Sequence, residues 1–129
     1  MAAKTITKER VTFKLLVCGG RDFKDVIPLR NLLDRAHAKF QITHLIHGDS
    51  KGVDKLAAEW ANAKGIQVVA VPANWEFFKN AAGPIRNQHM IELYPDAVLA
   101  FPGGKGTKNM IEQAVRHNVK VYDATKLGL

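Results

Sequence analysis

Three times in this chain a short apolar run stops at a glycine-bearing turn and passes into a stretch of helical periodicity. Phe13 to Cys18 runs into Gly19-Gly20-Arg21-Asp22, and His44 to His47 runs into Gly48-Asp49-Ser50-Lys51-Gly52-Val53-Asp54. Ala97 to Phe101 runs into Pro102-Gly103-Gly104-Lys105-Gly106-Thr107. Apolar runs bounded by such turns read as buried strands. Between them, Ile27, Leu29, Leu32, Leu33 and Ala36 keep close to a 3.6-residue period, which predicts a helix over 26–40. Val53, Leu56, Ala57, Trp60 and Ala61 share one face of a second helix over 53–64, with Gly65 as its stop. Gln67 to Val71 is a third strand ended by Pro72. Pro84 is suited to opening a helix that reaches about Leu93. A last helix over 107–117 and a short strand over 119–122 complete the pattern. Ala73 to Gly83 is the least regular stretch, and Trp75, Phe77 and Phe78 mark it as an ordered lid or contact surface. Alternation of this kind predicts an α/β fold: a three-layer α/β/α domain whose mainly parallel sheet has about five strands.

The 129 residues fit one domain, with a core large enough to need no disulfides. Residues 1–10 carry Lys4, Lys8, Glu9 and Arg10 and lack the apolar stretch of a signal peptide. They read as a flexible basic tail ahead of a single domain over 11–129. Cys18 is the one cysteine, so no internal disulfide can form, and a reducing, cytoplasmic setting is expected. No apolar run approaches the roughly 20 residues that span a bilayer, and no membrane partner is expected. The formal charge of +7 favours anionic partners, although the basic residues are scattered and form no block.

In open parallel sheets, ligands sit beyond the carboxyl ends of the strands. All three glycine turns fall there. The 102–107 turn would leave backbone N–H groups unpaired at a helix start, and such groups attract phosphate. Gly103, Gly104 and Gly106 would admit a ligand to the backbone, with Thr107 supplying a hydroxyl and Lys105 a charge. The purely structural alternative is a tight turn with Thr107 as N-cap. It is not a Walker A loop, because Gly106 separates Lys105 from Thr107. In the first turn, Gly19 and Gly20 admit the ligand, Arg21 forks onto phosphate and Asp22 accepts ribose hydroxyls. In the second, Gly48, Ser50 and Gly52 face the ligand. Asp54 serves either the ligand or merely the first turn of its helix. His47 reads as a core histidine. Arg86 and Asn87 are placed to cross toward the same pocket; for Arg86 the alternative is a surface ion pair with Glu92 or Asp96. Trp75, Phe77 and Phe78 fit a subunit interface or a base stack. The five histidines show no metal-ligand spacing, so neither metal nor cofactor is expected.

Five ordered blocks then stand together: Cys18-Gly19-Gly20-Arg21-Asp22-Phe23; His47-Gly48 through Gly52-Val53-Asp54 with Ala57; Pro72-Ala73-x-Trp75; Ala82-Gly83-Pro84-x-Arg86-Asn87-x-x-Met90; and Phe101-Pro102-Gly103-Gly104-x-Gly106-Thr107. They resemble the SLOG superfamily, most closely its YspA-like, cpYpsA-related branch. The resemblance implies a Rossmann-like domain that senses, carries or processes nucleotides and their derivatives. The Arg86-to-Met90 stretch and the Pro102–Thr107 turn are also similar to those of the LOG phosphoribohydrolases. That similarity implies a catalytic role for Arg86 on a nucleotide N-glycosidic bond. The LOG pattern then asks for a glutamate where this chain has Met110. Glu112 lies about 200° further around a helix and is a poor substitute. Gly48-x-Ser50-x-Gly52-Val53-Asp54 resembles a turn of the DNA-processing protein A family, which implies single-stranded DNA binding.

The expected function is binding of a nucleoside phosphate or an ADP-ribose-like ligand, as a sensor or sequestering protein. Hydrolysis of a nucleotide N-glycosidic bond is the alternative, and single-stranded nucleic-acid binding the second alternative. A homo-oligomer is expected.

Overall fold

The structure, a computed structural model, describes residues 11–129. The reading of 1–10 as a flexible basic tail lies outside the described residues. The elements follow the order β1 (Lys14–Cys18), α1 (Val26–Phe40), β2 (His44–His47), α2 (Val53–Ala63), β3 (Gln67–Ala70), α3 (Trp75–Phe78), α4 (Ala82–Ile91), β4 (Ala97–Ala100), α5 (Lys105–Arg116) and β5 (Lys120–Asp123). Short 3-10 turns occupy Lys79–Ala81 and Ala124–Leu127.

All five strands are parallel, in the order β3-β2-β1-β4-β5. The α/β/α, Rossmann-like architecture expected from the alternation is therefore present. Strand residues serve the two faces in turn, as the two-residue period of a strand requires. Leu15, Val17, Leu45, Ala97 and Leu99 pack with Leu29, Leu32 and Leu33 of α1 and with Val53, Ala57, Trp60 and Ala61 of α2. Leu16, Cys18, Ile46, Val98 and Ala100 pack with Met90 and Ile91 of α4 and with Met110 and Ala114 of α5. Burial on both faces is what makes these strands read as continuous apolar runs.

The strand order fixes where a site can form. The chain moves outward from β1 through β2 to β3, then returns to place β4 on the other side of β1. The β1–β4 seam is thus the topological switch point, and the loops leaving both strands diverge from it. The seam continues past the strands: Phe101 N donates to Cys18 O at 2.8 Å, and Gly20 N donates to Pro102 O at 2.7 Å.

Several boundaries differ from the sequence reading. The stretch 73–83 holds one turn of helix, α3, whose Asn74 cap accepts from Phe77 N at 3.0 Å. Helix α4 starts at Ala82, two residues before Pro84. Helix α5 starts at Lys105 with Gly104 as its cap, so Thr107 is a first-turn residue and not the N-cap. Proline and threonine signals locate a helix start only to within a turn. Among the described residues, no helix is long and apolar enough to cross a membrane.

Candidate functional site

A cleft of about 630 Å³ opens beyond the carboxyl ends of β1, β2 and β4. Its walls come from the turns after these strands and from α3, α4 and α5. Of the residues singled out in the sequence, Gly19, Gly20, Arg21, Gly48, Ser50, Asp54, Arg86, Asn87, Gly104, Lys105, Gly106 and Thr107 line it. Turns far apart in the chain thus meet in one cavity.

Four of the candidates from the glycine turns do not line it. Asp22 is exposed on the outside of its turn. Pro102, Gly103 and Gly52 are not on its walls; Gly52 and Gly103 instead let the turns close on one another. Gly52 has φ +73°, and a Cβ there would stand 2.6 Å from the Arg21 carbonyl oxygen. Only glycine combines that backbone conformation with that approach. Val53 N donates to Gly20 O at 3.2 Å, which fastens the start of α2 beneath the first turn. A Cβ at Gly103 would lie 2.8 Å from Gly20 N, so this glycine also serves the packing of the turns.

The anion-attracting end is built by α5. Its first intrahelical bond runs from Lys108 N to Gly104 O at 3.0 Å, and Gly104 brings no side chain to cap the helix. The N–H groups of Lys105, Gly106 and Thr107 precede that bond and have no acceptor within the helix. The positive end of the helix dipole lies at the same place.

Arg86 reaches the cleft from α4. One of its terminal nitrogens donates to Gly48 O, and Nε donates to Asn87 Oδ1 at 3.0 Å. The guanidinium lies over Gly48, where a Cβ would come within 2.8 Å of Arg86 Cζ. The surface ion pair with Glu92 or Asp96 does not form. Asp96 instead accepts from Lys14 N at 2.8 Å, and Glu92 from Gln88 at 3.3 Å. Asn87 is buried and donates to Gly106 O at 3.2 Å and to Asn109 Oδ1 at 3.0 Å. Gln113 donates to the same Asn109 oxygen at 2.8 Å and to Pro84 O at 3.0 Å. A chain of amides therefore locks α4, and Arg86 with it, to the start of α5.

Asp54 does more than favour the first turn of α2. It is buried, and its Oδ2 accepts from Gly48 N at 3.1 Å and Ser50 N at 3.2 Å, folding the β2–α2 loop around it. Burial pushes its carboxyl up to about 6, against the pull of those amides and of Arg86. Burial likewise draws Arg86 below its ordinary value, opposed by Asp54 and reinforced by Arg21. The guanidinium stays charged all the same. Cys18, at the floor of the cleft, has its thiol pushed up to about 12, first by burial and then by Asp54. It is a packed, unreactive thiol. His47 is buried, with Nδ1 accepting from Asp49 N at 2.9 Å, and burial lowers its pKa.

The cleft also gathers three residues beyond those expected to bind the ligand. Lys108, Asn109 and Glu112 line it with Lys105 from one face of α5. Met110 is fully buried on the core side. Glu112 lies about 200° around the helix from Met110. That same separation puts Glu112 on the cleft wall and Met110 in the core. The i, i+3, i+4, i+7 spacing from Lys105 to Glu112 was the available signal. Asn80 also lines the cleft, and no local pattern announces it.

The sequence model of the YspA, cpYpsA-related SLOG family matches residues 13–78. This chain belongs to that family. It is also similar to the Gene 61 protein of Mycobacterium phage D29, at 30% identity over 118 residues that span 85% of this chain and 94% of that protein. Membership in the SLOG family points to a role in binding or processing a nucleotide-related ligand. The matched segment carries the β1 and β2 turns. Arg86 and the α5 turn lie beyond it and join the site through the fold.

Proposed function

We propose that the cleft binds a phosphate-bearing nucleotide derivative, a nucleoside phosphate or an ADP-ribose-like molecule, and holds it intact as a sensor or sequestering protein. The observation that carries this reading is the meeting, in one cleft at the β1–β4 seam, of the open N-terminus of α5 with Arg21 and Arg86. Two guanidinium groups and three free amides form a strongly anion-seeking surface. A cavity of this size falls in the range of small-molecule sites, about 300–1,000 Å³. Lys105 and Lys108 add charge at the α5 end, while Ser50 and Asp54 offer hydroxyl and carboxyl partners for a sugar.

Hydrolysis of the N-glycosidic bond is the second reading, favoured by one feature. Asp54 lines the cleft and spends Oδ2 on two amides, and its other carboxyl oxygen accepts no hydrogen bond among the described residues. Glu112 supplies a further carboxylate in the same cavity.

The test is titration calorimetry with the four nucleoside 5′-monophosphates and ADP-ribose, followed by chromatography of the mixtures. Stoichiometric binding with intact ligand, weakened at least ten-fold by Arg86→Ala, supports the sensor reading. Free base appearing with wild type and not with Arg86→Ala replaces it with the hydrolase. Binding by none of the five ligands overturns both. A single-stranded oligonucleotide that outcompetes them all, with a steep salt dependence, would turn the reading toward nucleic acid.

A further inference from the structure

We propose that Trp75 and Asn80, on the α3 side of the cleft, form a subsite for a flat heteroaromatic base. This rests on the reading of the cleft as a nucleotide site and adds to it a direction for the ligand. Trp75 is half exposed, at 52%, although it is one of the largest apolar side chains in the protein. It contributes nothing to either core. Its helix, α3, is a single turn with no buried residue. Packing therefore does not account for the placement of this indole.

Local structure nevertheless fixes it. Asn74 caps α3 from its side chain, and Phe78 N donates to Asn74 O at 3.0 Å. Gly83, at the start of α4, lies against the indole: a Cβ there would stand 3.4 Å from Trp75 Cη2. Lys79, at φ +55°, ends the helix after one turn, and the next residue, Asn80, lines the cleft together with Trp75. The indole offers an aromatic surface on which any base can stack. The Asn80 amide, on the wall of the same cleft, carries both a donor and an acceptor for a base edge.

The chemistry of the walls is segregated. Amides and cations concentrate at α5 and at Arg86, and the aromatic surface is at α3. A ligand with an anionic end and a flat ring end satisfies both, with its sugar near Ser50 and Asp54. A bare sugar phosphate satisfies only the first.

The test compares the four nucleoside 5′-monophosphates with ribose 5-phosphate on wild type, Trp75→Ala, Trp75→Phe and Phe77→Ala. For at least one monophosphate, wild type should bind ten-fold or more tighter than it binds ribose 5-phosphate, a ratio set by about one stacked base. Trp75→Ala should erase that ratio while leaving ribose 5-phosphate affinity unchanged. Trp75→Phe should keep most of it. Phe77→Ala, which alters α3 outside the cleft, should keep all of it. Binding should also shield Trp75 fluorescence from acrylamide, while Trp60, buried and bonded to Asp34 at 2.8 Å, is shielded throughout. Equal affinities for monophosphates and ribose 5-phosphate, or a Trp75→Ala loss shared by both, would overturn the base subsite and leave the phosphate site standing. Failure of both ligand classes to bind would overturn the subsite, and failure of ADP-ribose as well would overturn the cleft reading.

Discussion

Replacing Asp54 by asparagine should make the protein more stable relative to wild type as pH rises, the reverse of what loss of a salt-bridged carboxylate does. Asp54 is 6% exposed and sits close to Arg86. Two amides and a guanidinium favour its charged form, yet desolvation outweighs them and lifts its carboxyl from an ordinary 3.8 to about 6. In the unfolded chain the same group titrates near the ordinary value. Between the two, the folded state holds a proton that the unfolded state has released, so stability falls as pH rises. The contribution is complete below pH ~3.8 and is gone above pH ~6. At ~1.4 kcal/mol per pH unit, the window amounts to about 3 kcal/mol. Asparagine is nearly isosteric with the protonated acid and can present its carbonyl to Gly48 N and Ser50 N. Urea denaturation of both proteins at pH 4, 5, 6 and 7 isolates this group, since every other titration is shared. The stability difference should move by about 2 kcal/mol in favour of Asp54→Asn between pH 4 and pH 7, the part of the window above pH 4. A flat difference, or movement in favour of wild type, would refute the reasoning. It would mean that Arg86 and the loop amides win over burial.

Gly48→Ala should cost little in stability and most of the affinity for a phosphorylated ligand, because the new methyl must push the Arg86 guanidinium aside. Calorimetry should show a loss close to that of Arg86→Ala, and unchanged binding would show that Arg86 takes no part. Asn87→Ala removes a buried amide that accepts from Arg86 and donates to Gly106 and Asn109. It should destabilise the fold by about 1–3 kcal/mol and also weaken the ligand, as read from denaturation midpoints and titrations.

Much of the candidate site was legible because turn chemistry is local. A strand that must stop, expose its end and yield to a helix needs glycine and polar residues at that point, whatever surrounds it. The turns at Gly19–Arg21, Gly48–Ser50 and Gly104–Thr107 could therefore be named from the chain alone. Gly52 and Gly103 carried the same signal for a different reason. They allow backbone to approach backbone, and sequence does not distinguish that from room for a ligand. Asp22 beside Arg21 looked equally functional, because which of two adjacent turn residues faces inward depends on the neighbouring loop.

By itself, the sequence determined the α/β alternation, the parallel sheet with two buried faces and the strand ends that carry the glycine turns. These depend on hydrophobic period and local backbone preference, which act within a few residues. Only the tertiary structure decided that β4 lies against β1, and that choice brings together turns more than eighty residues apart. It also placed Arg86 over Gly48, buried Asp54 beside it, turned Glu112 rather than Met110 to the cleft and stood Trp75 at its edge. Each of these depends on contacts between distant segments and on how far water is excluded there. Those quantities exist only once the layers have packed.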